Sequence, residues 1–192
     1  MADKDFRVRC NEGRERFALV TGGSRGIGKA TALRFAEHGT NVAFCFFTSR
    51  DTANQTVKEI ESRGVRALPI RANLGNEEHI DKMFDVIQEE FGALDILVAN
   101  AATGILRPTL EVTNKEWDRV MDINLRSLFH CTKRAVPLMN GRPDGRIVTV
   151  TSMGSTRTIE NYTAVGTSKA AIEALTRYLA VELKPRGITV NA

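Results

Sequence analysis

Six short apolar runs, alternating with segments of helical periodicity, constrain this chain more than any other feature. The expected strands are Phe17–Thr21, Asn41–Phe47, Arg66–Arg71, Leu94–Asn100, Arg146–Thr151 and Ile188–Asn191. Several are apolar at consecutive positions (ALV, ILVA, IVTV), the pattern of parallel strands covered on both faces. Between them, Ile80, Met83, Phe84, Ile87 and Phe91 form one helical stripe, with Asn76 placed to cap it and Gly92 to stop it. A long helix is expected over about Lys115 to Met139, with Trp117, Val120, Met121, Leu128 and Phe129 among its apolar positions. Another is expected over Ser168–Leu183, ahead of Pro185-Arg186-Gly187. Repeated β-α-β order predicts an α/β fold, a doubly wound parallel sheet with helices on both faces. In such sheets ligands bind beyond the carboxyl ends of the strands, so chemistry is sought just after each one.

After the first strand stands Thr21-Gly22-Gly23-Ser24-Arg25-Gly26-Ile27-Gly28, opening a helix. A tight turn, close approach of backbone N–H groups to a pyrophosphate, and close packing of helix on strand each require glycine there. The loop makes the sheet Rossmann-type and points to a dinucleotide held by Gly22, Ser24, Arg25, Gly26, Ile27 and Gly28. After the second strand, an acid would bind the ribose hydroxyl of NAD and repel a 2′-phosphate. The chain has Phe46-Phe47-Thr48-Ser49-Arg50 instead. Ser49, Arg50 and Arg25 offer donors to a phosphate, which favours NADPH over NADH. The bland alternative makes Arg50 only the solvated start of the next helix, with Asp51 beside it. Small residues in Asn100-Ala101-Ala102 let the backbone lie against a cofactor ribose.

The chain has 192 residues and a net charge of 27 − 23 = +4, with basic and acidic residues interleaved. A nucleic-acid footprint would cluster, so none is expected. Ordinary globular composition excludes disorder as the main state. No apolar run approaches the roughly 20 residues that span a bilayer, so no membrane span is expected. Three widely spaced cysteines (Cys10, Cys45, Cys131) suggest neither a disulfide framework nor a metal site, and a reducing cytoplasm is the simplest home.

The fifth strand runs into Thr151-Ser152-Met153-Gly154-Ser155, followed by Asn161-Tyr162-Thr163-Ala164-Val165-Gly166-Thr167-Ser168-Lys169. Seven residues are close to two helical turns, so Tyr162 and Lys169 share a face if the helix reaches Tyr162. With TGxxxGxG after the first strand, these segments resemble the short-chain dehydrogenases/reductases. Most of that family carries Tyr four residues before Lys, where this chain has Val165. The Y-x6-K spacing is similar to the enoyl-acyl-carrier-protein reductases. Leu106-Arg107-Pro108, Gly154-Ser155-Thr156-Arg157, Glu160-Asn161-Tyr162-Thr163 and Lys169–Leu183 resemble their NADPH-dependent type III branch. The resemblance covers about Arg16 to Ala192, leaving residues 1–15 as a polar N-terminal tail and 16–192 as an NADP-binding domain.

The resemblance implies a chemistry. NADPH reduces a trans-2-enoyl thioester of acyl-carrier protein or CoA in fatty acid biosynthesis. Tyr162 donates to the thioester oxygen, and Lys169 holds the nicotinamide ribose. Ser152 has a supporting role, and Asn124 bends its helix and holds a water in a proton path. Asn73 and Leu74 stand where the family commonly contacts adenine. A dimer or tetramer through the two long helices is also implied, as is a fold that ordinarily continues past a sixth strand, which this chain ends on. Two other readings stay open. One is a carbonyl reductase such as a 3-oxoacyl-acyl-carrier-protein reductase, against which Val165 argues because it has no proton to donate. The other is a truncated NADP-binding module with little turnover.

Overall fold

The computed structural model describes residues 14–192. Cys10 and most of the expected N-terminal tail lie outside the described residues. The sheet contains β1 (Arg16–Val20), β2 (Thr40–Phe46), β3 (Ala67–Arg71), β4 (Ile96–Ala99), β5 (Arg146–Thr149) and β6 (Thr189–Asn191). All pairings are parallel, in the order β3-β2-β1-β4-β5-β6. One register row, Leu68–Ala43–Leu19–Leu97–Ile147–Val190, crosses the whole sheet.

Side chains alternate across the pleat, so this row and its neighbours divide two cores. Leu19, Ala43, Leu97, Ile147 and Val190 face α3 (Glu77–Phe91), α5 (Ser127–Leu138) and α6 (Thr163–Leu183). Val20, Val42, Phe44 and Val98 face α1 (Gly26–Glu37) and α2 (Arg50–Glu61). Near the β5 edge the second face is thin. Ile147 and Thr149 are buried under α6, but Val148 is 38% exposed among the described residues. The expectation of cover on both faces therefore holds for the centre of the sheet and not for this strand.

Local chemistry sets the helix ends. The Asn76 side chain accepts from His79 N, and Gly92 closes α3 in the left-handed conformation at φ +69°. A reciprocal capping box between Thr113 and Glu116 starts α4 (Asn114–Met121). The helix expected over about Lys115 to Met139 is not regular throughout: α4 runs into a π turn at Asp122–Arg126 before α5. Of its expected apolar positions, Val120 and Leu128 are buried and Phe129 is exposed. The strands expected to reach Asn100 and Thr151 end earlier, at Ala99 and Thr149: the Asn100 N–H donates to the Thr21 hydroxyl, and the Thr151 hydroxyl donates to Glu173 in α6.

Asp95, 1% exposed, ties the base of the sheet together. Its carboxylate accepts two bonds from Arg142 at 2.7 and 2.6 Å, one from Arg14 at 2.8 Å and one from Phe17 N at 2.9 Å. A buried carboxylate is stabilised only when its partners neutralise and saturate it, and removing it strands the guanidinium of Arg142. Asp95→Ala is expected to lower unfolding free energy by about 3 kcal/mol, read from urea denaturation midpoints at constant slope.

Candidate active site

The strand order reverses between β1 and β4, and the loops leaving them diverge. Thr21, buried at this point, holds them together. Its Oγ1 accepts from Asn100 N at 3.0 Å and Ala101 N at 2.9 Å, while Asn100 Nδ2 donates to Thr21 O at 2.9 Å. The cleft above them encloses about 500 Å³. It is lined after β1 by Gly22, Ser24, Arg25, Gly26, Ile27 and Gly28; after β2 by Phe46, Phe47 and Thr48; after β3 by Ala72, Asn73 and Leu74; and after β4 by Asn100, Ala101, Ala102 and Thr103.

Two glycines have definite geometric reasons. Gly22 sits at φ +68°. A Cβ on Gly28 would lie 2.3 Å from Gly22 O, so only glycine lets the start of α1 approach this loop. The cleft thereby keeps an opening shaped for a dinucleotide, with Arg25 at one wall. Among the described residues no Asp or Glu lines it. The segment after β2 that lines the cleft, Phe46 to Thr48, has no acid to repel a 2′-phosphate.

The two other expected phosphate ligands lie elsewhere. Ser49 caps α2 by accepting from Thr52 N at 3.3 Å, and Arg50 is the first residue of that helix; neither lines the cleft. Thr48 lines it instead. Asn73 Oδ1 accepts from Gly75 N at 3.1 Å, leaving its amide nitrogen for a ligand. Arg119 and Ile123, from α4 and the π turn, also line the cleft and were not anticipated. Their approach depends on how α4 lies across the loop after β4, which no local pattern encodes.

Of the expected catalytic residues, Ser152 and Tyr162 meet, while Lys169 and Asn124 bond other neighbours, and none of the four lines the cleft. Tyr162 is the cap of α6, its carbonyl accepting from Gly166 N at 2.7 Å. The helix thus begins one residue after it, so Tyr162 stands at the cap and not on a helical turn in line with Lys169. Asn161 before it adopts φ +60°, a left-handed conformation that Asn tolerates better than most residues. Tyr162 Oη stands 3.5 Å from Ser152 Oγ. A Cβ on Gly154 would lie 2.5 Å from the Tyr162 ring, so the loop after β5 accepts the ring only with glycine there.

Lys169 is 6% exposed and its Nζ donates to Val150 O at 2.6 Å. Burial pushes its ammonium below the usual lysine range. Asn124, buried in the π turn, accepts from Thr103 N at 2.8 Å and donates to Thr103 O at 3.0 Å and Ser168 Oγ at 2.9 Å. It therefore joins the cleft loop to the residue beside Lys169. Val165 is buried, where most of the resembled family has its tyrosine.

The short chain dehydrogenase family pattern matches residues 16–192. The chain is 41% identical over 181 residues to 3-oxoacyl-acyl-carrier-protein reductase FabG of Staphylococcus epidermidis, spanning 91% of this chain and 72% of that one. It superposes on a short chain dehydrogenase from Burkholderia cenocepacia J2315 in complex with NADP at a TM-score of 0.87, with 38% identity over 92% of this chain and 71% of the other. On acetoin dehydrogenase from Enterobacter cloacae the TM-score is 0.89, with 30% identity over 94% and 72%.

Gly28→Ala drives a methyl into the Gly22 carbonyl and must displace the loop. Fluorescence titration with NADPH is expected to show at least about tenfold weaker binding, equal to ~1.4 kcal/mol, with the melting temperature changed far less than by Asp95→Ala.

Proposed function

The chain belongs to the short-chain dehydrogenase family, and from that membership we propose that it is an NADPH-dependent reductase of acyl thioesters in which Tyr162 supplies the hydrogen bond to the substrate oxygen. The observation that carries this reading is the position of the phenol. Tyr162 reaches Ser152 from the cap of α6, while the position four residues before Lys169 holds a buried valine.

The finer reading is reduction of a trans-2-enoyl thioester. Moving a donor three residues along a helix displaces it by about 4.5 Å along the axis. In a ketone the carbon that accepts hydride bears the oxygen itself. In an enoyl thioester the accepting β-carbon is two atoms farther from that oxygen, so the oxygen needs a donor set farther along. A dinucleotide held by the glycine loop after β1 and by the residues after β3 and β4 would supply the hydride. Charge then develops on the thioester oxygen as an enolate, and Tyr162 donates to it in a partly enclosed site where a preorganised donor counts for most. A proton added at the α-carbon completes the saturated product. Lys169 supports the nucleotide ribose and places a cation near the phenol. Asn124 and Ser168 hold its helix turn against the cleft loop.

The second reading, reduction of a 3-oxoacyl thioester, is favoured by the names of relatives such as the one from S. epidermidis. The hydroxyl pair of Ser152 and Tyr162 suits a carbonyl oxygen too. Self-association belongs to both readings, supported by the exposed Phe129 on α5 and Tyr178 and Val181 on α6.

Purified protein with NADPH is expected to consume cofactor with a 2-enoyl thioester and not with its 3-oxoacyl counterpart; the opposite preference assigns the second reading. Binding without turnover of either would leave a nucleotide-binding module. Tyr162→Phe is expected to lower kcat by about 100-fold or more with little change in NADPH affinity.

Lys169 also predicts a pH dependence. Burial lowers its pKa from 10.5, so its charge is lost at lower pH than in the unfolded chain. NADPH affinity is expected to be level near neutrality and to fall as pH rises, with a midpoint below 10.5. Lys169→Met should bind weakly at every pH and lack that limb, as titrations across pH will show.

A further inference from the structure

A second cavity, of about 320 Å³, adjoins the Tyr162 ring between the loop after β5 and the first turns of α6. It differs from the nucleotide cleft in its walls. Among the described residues they carry one charged side chain, Arg157, no acid, and a series of hydroxyls. Some of those hydroxyls are already engaged. Ser155 donates to Ser152 O at 2.8 Å, Thr156 to Met153 O at 3.4 Å, and Thr163 shares a 2.6 Å bond with Thr109. Arg157, Thr158 and Thr167 are not: among the described residues none has a side-chain hydrogen bond or ion pair. Arg157, Thr158 and Thr167, all solvent-exposed, therefore border one polar hollow with their side chains unengaged, beside the group proposed to bind the thioester oxygen.

We propose that this cavity is the subsite for the phosphate on the pantetheine arm of the thioester substrate, with Arg157 as its specificity-determining residue. The inference rests on the acyl-thioester reading above. A phosphate presents several acceptor oxygens, which matches a forked cation flanked by hydroxyl donors. A thioester oxygen at Tyr162 places the acyl chain and the sulfur arm on opposite sides of the reacting centre, and the flexible pantetheine arm is long enough to cross the hollow to Arg157. The same phosphate is presented by a carrier protein and by coenzyme A. Its chemistry, not the remainder of the carrier, is what these walls recognise.

The test separates the subsite from the reaction, because binding of the arm needs no turnover. Isothermal titration of the full chain with 4′-phosphopantetheine and with pantetheine is expected to show about tenfold tighter binding of the phosphorylated arm, the scale of one charge-assisted contact. In Arg157→Gln that preference should vanish, and in Arg157→Lys part of it should return, with unchanged circular dichroism and melting temperature in both. Equal binding of the two arms by the parent chain overturns the proposal, as does a preference that survives in Arg157→Gln. In turnover, the kcat/KM ratio for a carrier-protein or coenzyme A thioester over its N-acetylcysteamine analogue should fall about tenfold in Arg157→Gln. A fall for coenzyme A alone, or for the carrier protein alone, overturns recognition of the shared phosphate. If no thioester is reduced, the acyl-thioester reading fails, while the arm titration still decides whether the cavity binds phosphate.

Discussion

The bonds between Thr21 and Asn100 are the constraint on which the nucleotide site depends. At the centre of the sheet β1 has neighbours whose connections leave in opposite directions, and a cleft opens wherever such connections part. Left to itself that opening would strand polar backbone groups. The Thr21 hydroxyl takes two of the N–H groups and the Asn100 amide returns a bond to the Thr21 carbonyl, so the floor is saturated before any ligand arrives. Gly28 can then lie against Gly22, bringing the start of α1 to the cleft edge.

A second link carries this order to the start of α6. The π turn at Asp122–Arg126 inserts an extra residue into an otherwise continuous helix and swings Asn124 inward. There its amide spans the loop after β4 and the hydroxyl of Ser168, one residue from Lys169. The helix kink is thus bonded to the loop after β4 and to the turn of α6 that carries Lys169, whose own ammonium donates to Val150 O. The phenol is placed differently. Tyr162 stands at the cap of α6 and rests on Gly154, so its position depends on the loop after β5 as much as on the helix.

Much of this was legible because local chemistry is strong where it occurs. All six strands, the cap at Asn76, the stop at Gly92 and the glycine loop are written in short stretches of chain. Ser49 and Arg50 show the limit of such reading. As residue types they suit a phosphate, but Ser49 also suits a helix cap, and the backbone N–H of Thr52 is nearer than any ligand. Thr48, Arg119 and Ile123 are the converse: nothing about them in the chain suggests a site until α4 is laid beside the loops.

The sequence alone determined the alternation of strands and helices, the nucleotide loop, and the seven-residue spacing from Tyr162 to Lys169, because each rests on periodicity or on the stereochemistry of a few adjacent residues. Only the tertiary structure decided where the π turn falls, which cations reach the cleft, that Ser152 and Tyr162 meet, and that Arg157 faces a hollow without an acid. Those depend on contacts between segments far apart in the chain, whose geometry is set by how whole elements pack and not by the residues beside them.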